Sequence, residues 1–249
     1  MAGHNKWSKV KRLKGALDAK RGRLFSRLSK EIAVAARLGG GNPAFNPRLR
    51  ASIQAARTHS MPNDNIERAI KKGIGEIASG AIEEIVYEGY GPGGVAVLVE
   101  TATDNRNRTA ADLRCLFTKY HGNLGGPGSV SFLFQRVGQI AIPLSVVDGD
   151  RLLELALEAG AEELAVDDDQ HVISTAPDRL YAVAEALRHA GLEAASQKLT
   201  FIPQTSAPVD DEKSASQVVR LCEALEDIDD VLDVHANFEI PEDLLARLS

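Results

Sequence analysis

From Gln139 to Phe201 the chain alternates strand-like and helix-like vocabulary in a fixed order: strand, helix, strand, strand, helix, strand. The two helical stretches run from Asp148 to Ala159 and from Pro177 to Ala190, and His171 to Thr175 is the strand between them. That order is the split βαβ arrangement of ferredoxin-like domains. Its neighbours follow from it. Upstream, Ile82 to Tyr87 reads as a strand, a glycine-rich turn follows, and Val95 to Thr101 is an apolar strand. Asp104 to Tyr120 reads as a helix with Leu113, Leu116, Phe117 and Tyr120 inward, and Val130 to Val137 as a strand. Downstream of a linker at Pro203 to Pro208, one helix (Glu212 to Glu226) and one strand (Val231 to Phe238) remain, too little for a domain of their own. They are expected to return to the sheet begun at Ala81, so that one α+β domain is interrupted by another.

Before Ala81 the periodicity is helical. Leu24, Leu28, Ile32, Ala35 and Ala36, with Phe25, share one arc of a helix from Asp18 to Leu38, and Gly39-Gly40-Gly41 ends it. Asn46-Pro47 starts a second helix, asparagine capping and proline in the first turn. Its packing positions are Leu49, Ile53 and Ala56, while Arg48, Arg50 and Arg57 add charge. A third helix opens at Met61-Pro62-Asn63-Asp64-Asn65, where Asp64 and Glu67 have capping-box spacing, and packs through Ile66, Ala69 and Ile70. The expected architecture is α+β: a basic helical domain over residues 1–80, a discontinuous α+β domain over 81–137 and 204–249, and an inserted ferredoxin-like domain over 138–203.

Charge divides the chain as sharply as periodicity does. Through Gly80 there are 17 Lys and Arg against 5 Asp and Glu; beyond it, 12 against 30. The first thirty residues concentrate Lys6, Lys9, Lys11, Arg12, Lys14, Lys20, Arg21, Arg23, Arg27 and Lys30 against the single acid Asp18. No core needs such a run, and like charges repel, so a polyanion is the partner it suits. In the first helix Arg23, Arg27, Lys30 and Arg37 share an arc apart from the apolar one, a stripe of cations suited to phosphates. With 44% hydrophobic and 26% charged residues the composition is that of a folded globular protein. Two cysteines without a CxxC exclude a disulfide framework and a thiolate zinc site, and point to a reducing cytoplasm. No apolar run reaches the length of a membrane span.

Motifs narrow the chemistry further. Gly89-Tyr90-Gly91-Pro92-Gly93-Gly94 has the spelling of a dinucleotide fingerprint, but a strand follows it instead of a helix and Pro92 lacks an amide donor, so a hairpin turn is expected. Gly122 to Ser129 is glycine-rich without the Gly-Lys-Ser/Thr ending of a nucleotide loop. Asp104-Asn105-Arg106-Asn107-Arg108-Thr109 places two arginines at a strand-to-helix junction. There Arg106 and Arg108 either meet nucleic-acid phosphates or pair with the acidic body. Trp7 either stacks on a base or anchors the basic arm. The six histidines are scattered without metal spacing, Asp167-Asp168-Asp169 suits a solvated turn, and neither a nucleophile elbow nor H-E-x-x-H is present. No cofactor, metal site, small-molecule substrate or enzymatic activity is expected.

The opening Met1-Ala2-Gly3-His4-Asn5-Lys6-Trp7, Arg21-Gly22 with Phe25, Asn46-Pro47-Arg48-Leu49-Arg50, and Met61-Pro62 with Asn65-Ile66-Glu67-Arg68-Ala69-Ile70 resemble the YebC/PmpR family of probable transcriptional regulators. So do Tyr87 to Gly94, Thr103 to Thr109 and Gly122-Asn123-Leu124-Gly125. Asn5 stands where a serine is usual, and Val10 to Lys14 departs from the commoner Ile-Lys-His-Arg-Lys while keeping its charge. The resemblance implies a three-domain, non-enzymatic cytoplasmic protein. Bacterial relatives are described as DNA-binding regulators of transcription. A mitochondrial relative is a translational activator, and bacterial ones are also linked to ribosomes stalled on proline-rich sequence. The implied partner is therefore DNA, or rRNA within the ribosome.

Overall fold

The computed structural model describes residues 20–77, 80, 82–241 and 244. These form two compact units, one ending at Phe134 and resuming at Pro203, the other spanning Gln135–Ile202. The fold is α+β, with a helical N-terminal layer followed by two sheet-and-helix layers.

In the first unit, helix α1 (Lys20–Gly39) carries α2 (Pro47–Thr58) and α3 (Asn63–Gly73). Ile32, Ala35 and Ala36 of α1 meet Leu49, Ile53 and Ala56 of α2 and Ile66 and Ala69 of α3 in one buried cluster. Asn46 caps α2 as its sequence implies, its side-chain oxygen accepting from the Leu49 amide at 3.0 Å. The capping box expected from Asp64 and Glu67 is not formed. Helix α3 begins at Asn63, so Asp64 already lies in the first turn, and Pro62 in the cap position provides no side-chain acceptor. At the far end of α3, a Cβ on Gly73 would lie 2.3 Å from the Ala33 carbonyl oxygen, so glycine is what lets α3 cross α1 so closely.

The same α1 has a second apolar side. Ala33 and Val34 pack on Ile82, just ahead of a four-stranded antiparallel sheet, and on Ala102 and Leu232 within it. Its strands are β1 (Glu83–Tyr90), β2 (Ala96–Thr103), β3 (Asn123–Leu124) and β9 (Val231–Ala236), in the order β3-β1-β2-β9. The hairpin turn between β1 and β2 is a short 3-10 turn at Pro92–Gly94. Helices α4 (Arg106–Lys119) and α7 (Glu212–Glu226) cover the opposite face. There Val97 and Val99 meet Leu113, Phe117, Val218, Leu225 and Val234. β9 pairs with β2 across more than a hundred residues of sequence, with a register shift at Glu100/Thr101. Two short strands, β8 (Ala207–Pro208) and β10 (Phe238–Glu239), pair in parallel beside this core, β8 at the end of the expected linker and β10 starting at the last residue of the expected final strand.

The second unit comprises most of β4 (Phe134–Pro143), then α5 (Gly149–Ala159), β5 (Glu163–Asp167), β6 (Gln170–Thr175), α6 (Leu180–His189) and β7 (Ser196–Pro203). The strand order is β5-β6-β4-β7, which is the ferredoxin-like arrangement. Ile140, Ile142 and Ile173 form its core with Leu152, Leu180, Val183 and Leu187. One boundary differs from the sequence reading. Val130 to Val137 is not a separate strand: Ser131–Leu133 is a 3-10 turn, and β4 then runs unbroken through Gly138. A Cβ on Gly138 would sit 2.4 Å from Thr175 Oγ1 and 2.7 Å from Leu180 Cβ, so this glycine permits a close approach instead of a break.

Candidate nucleic-acid interface

The cationic stripe of α1 does form one face, but it is not left open. The Arg23 guanidinium donates to the Asp227 carboxylate, Arg27 to the Glu226 carbonyl and Arg37 to the Ile82 carbonyl. Lys30 Nζ donates to the Asp229 carbonyl at 2.7 Å and to the Asp230 carboxylate at 2.6 Å. All four cations of the stripe thus lie in a seam against the acidic turn between α7 and β9 and the lead-in to β1. The cause is packing. Once Ala33 and Val34 seat on the sheet, the adjacent stripe comes down onto Glu226 to Asp230. Arg48 ties the same two layers, reaching Glu31 of α1 at 2.9 Å and Glu84 of β1 at 3.1 Å. Burial works against the Arg48 charge, yet the Glu84 and Glu31 carboxylates outweigh it and hold the group firmly protonated.

Asp230 is the centre of this seam. Besides Lys30 it accepts from Arg108 Nη2 at 2.9 Å, Thr109 Oγ1 at 2.7 Å and Thr103 Oγ1 at 3.1 Å. Its side chain is 8% exposed and that of Lys30 19%, whereas Arg23 and Asp227 are 42% and 55% exposed. The first pair therefore carries most of the electrostatic binding, and the second is an ordinary surface contact worth little. Burial alone would raise the Asp230 carboxyl, but the bonds from Lys30, Arg108 and Thr109 outweigh it and hold it well below the usual carboxylate range.

These bonds also divide the Asn-Arg-Asn-Arg string. Asn105 caps α4, accepting from the Arg108 amide at 3.1 Å, and Thr103 Oγ1 accepts from the Asn105 amide at 2.9 Å. With the helix start so fixed, Arg108 turns onto Asp230 and onto Asp104 at 3.0 Å. Arg106 is exposed and lines a polar hollow of about 470 Å³ with Tyr87, Asn105 and Asn107. Its guanidinium takes part in no ion pair among the described residues. Of the two arginines, Arg108 is a structural tie and Arg106 faces outward. Lys6, Trp7, Lys9, Lys11, Arg12 and Lys14 lie outside the described residues. So do the side chains of Lys20 and Arg21 at the start of α1.

The glycine-rich stretch after α4 offers no vacant phosphate cradle. Its amides converge, as they do in anion-binding nests, but on a carboxylate of the same chain. Glu88 accepts from the amides of Gly128 and Val130, both at 2.7 Å, and of Ser131 at 2.8 Å. Burial would push the Glu88 carboxyl up, and the three amides together hold it below its ordinary value. Replacing Glu88 by Gln sets an NH2 group against these donors. A loss of about 1–3 kcal/mol in urea-unfolding free energy is the expected result; an unchanged midpoint would mean the loop holds itself. Sequence reasoning missed Glu88 and Asp230 alike, because each is one acid among many in the acidic two-thirds of the chain. Among the described residues no group of His, Cys, Asp and Glu is arranged to hold a metal ion, and no helix is long and apolar enough to cross a membrane.

Comparison with known proteins agrees with this architecture. Residues 5–76 match the TACO1/YebC protein N-terminal domain, and residues 82–238 match the TACO1/YebC second and third domain. A probable transcriptional regulatory protein of Aquifex aeolicus is 50% identical over 248 residues, with all of both chains covered. One of Desulfotalea psychrophila is 52% identical over 249 residues, again over the whole of both. The crystal structure of a conserved hypothetical protein from Aquifex aeolicus superposes with a TM-score of 0.83 at 51% identity, covering 91% of this chain and 93% of that one. With matching models for all its layers and relatives of equal length, the chain belongs to the TACO1/YebC family.

Proposed function

We propose that the protein is a non-enzymatic, nucleic-acid-binding regulator of gene expression that grips its target through its basic head. The observation that carries this reading is the charge split, with 17 Lys and Arg against 5 acids through Gly80 and 12 against 30 beyond it. Because the α1 stripe is occupied by the chain's own acidic turn, the contacts are assigned to Lys6, Lys9, Lys11, Arg12, Lys14, Lys20 and Arg21. Trp7 stands among them, and Arg106 is a second point of contact. The names of the relatives favour transcription, and hence duplex DNA.

One observation bears against α1 as a major-groove reader and keeps RNA, including rRNA in the ribosome, as the second reading. Reading a major groove requires a helix whose polar face is free, and the polar face of α1 is bound to Glu226 to Asp230. Competition binding near 0.15 M salt, where non-specific contacts weaken, separates the two readings. Labelled promoter DNA is set against random duplex and against ribosomal subunits. A preference of less than tenfold for promoter over random DNA rejects the sequence-specific regulator. In the same assay Arg106→Gln is expected to lower the salt slope by about 0.7–0.9 with the melting temperature unchanged. A wild-type slope for that variant removes Arg106 from the interface.

A further inference from the structure

Phe45 is the most exposed large hydrophobic residue of the described chain, at 84%. Single exposed apolar side chains are common on protein surfaces, so exposure alone assigns it nothing. Its setting distinguishes it. The backbone beneath the ring is fixed: the Phe45 amide donates to the Asn42 carbonyl at 3.1 Å. The neighbouring Asn46, buried, donates to the Ala35 and Gly40 carbonyls at 2.8 Å each while capping α2. The ring is therefore displayed from a rigid turn.

Of the exposed positions that follow on α2, Pro47, Arg50, Gln54, Arg57 and Thr58, two are cationic. Phe45 precedes the cap and Arg50 is the fourth helical residue, two positions that lie side by side at a capped helix start. Arg57 follows seven residues later, two turns and about 10 Å along the axis, and faces almost the same way. Both arginines are exposed, and among the described residues neither has an ion pair. Arg48 on the same helix shows the contrast, turned inward and paired twice. An exposed ring followed by two unpaired guanidiniums on one helix face matches a strand whose bases are unstacked and whose phosphates continue past them. A duplex does not present that chemistry, because its bases are paired and stacked and would have to be flipped out to reach the ring.

We infer that Phe45, Arg50 and Arg57 form a platform for single-stranded nucleic acid, the ring stacking on an unpaired base and the two arginines holding the phosphates beyond it. This rests on the nucleic-acid reading above and adds to it a surface and a strand state. The test is fluorescence anisotropy of the full chain with a labelled, unstructured RNA of about 12 nucleotides, the same sequence as DNA, and an RNA duplex. Phe45→Ala is expected to weaken the single-stranded RNA about tenfold, with its salt slope and the duplex affinity unchanged. Phe45→Trp should keep the wild-type affinity. Arg50→Gln with Arg57→Gln should lower the single-strand slope by about 1.4. The inference is overturned by an unchanged affinity in Phe45→Ala or by an equal loss for single strand and duplex, and the RNA and DNA arms tell which of the two strands the platform takes. If the wild-type chain binds none of these nucleic acids, the broader reading fails. If it binds them and the platform variants bind equally well, only the platform fails. All substitutions are at exposed positions, and an unchanged melting temperature checks that each variant is folded.

Discussion

Replacing Asp230 by Asn is expected to lower the unfolding free energy by about 3–5 kcal/mol, the cost of breaking a buried pair from one side. Four donors converge on this carboxylate, from α1 (Lys30), from the end of β2 (Thr103) and from α4 (Arg108 and Thr109). An asparagine presents one oxygen and turns an NH2 toward the remaining donors, and Lys30 keeps its charge at a largely buried site without a counter-ion. Adding Lys30→Met should recover part of the loss, since the stranded ammonium is then gone. The pH dependence has a definite sign. The folded-state carboxyl is held below its unfolded value of 3.8, so the native protein binds fewer protons than the unfolded chain in mild acid. The contribution is fully present above that value and is lost as pH falls through the folded one. Urea unfolding should therefore show a steep acid loss in the wild type and a shallower one in Asp230→Asn. Equal midpoints for the two proteins at neutral pH would mean that the seam is held by Ala33 and Val34 alone.

The other large effect is on binding. Converting Lys9, Lys11, Arg12 and Lys14 to Ala removes four cations from the arm, and each phosphate contact contributes about 0.9 to the salt slope on duplex DNA and about 0.7 on single strands. A fall of roughly three units is expected, which amounts to orders of magnitude in affinity at low salt. The charge of the acidic body does not compensate for the loss, since it repels the same phosphates.

How much of this was legible in sequence depends on how local the cause is. The ferredoxin-like unit could be read because its alternation, hairpins and caps are short-range: the helix expected from Asp148 to Ala159 is capped by Asp148 and runs over Gly149–Ala159. Gly138 looked like a break because sequence does not show Thr175 and Leu180 pressing on it. Asp64 and Glu67 had the spacing of a capping box, but Pro62 set the helix start one residue ahead of Asp64. The largest gap lay in the stripe on α1. Its spacing was right, but its partners are about 200 residues away, Lys30 meeting Asp230 and Arg23 meeting Asp227. A local clue existed. Ile32 to Ala36 is an unbroken apolar run, all buried, and a helix apolar on more than one face must be covered on both. The second cover was the sheet, and the acidic turn came with it. Arg106 and Arg108 show the same limit, for only the position of Asp230 decides which of the two turns inward.

Binding as a function of salt, for the arm variant beside Arg23→Gln/Arg27→Gln, is the sharpest comparison. If the seam cations are held by the chain's own acidic turn while the arm holds phosphate, the slope drops by about three units in the first and stays at the wild-type value in the second. A slope that falls by nearly two units in the seam variant, with the arm variant unchanged, would contradict the account.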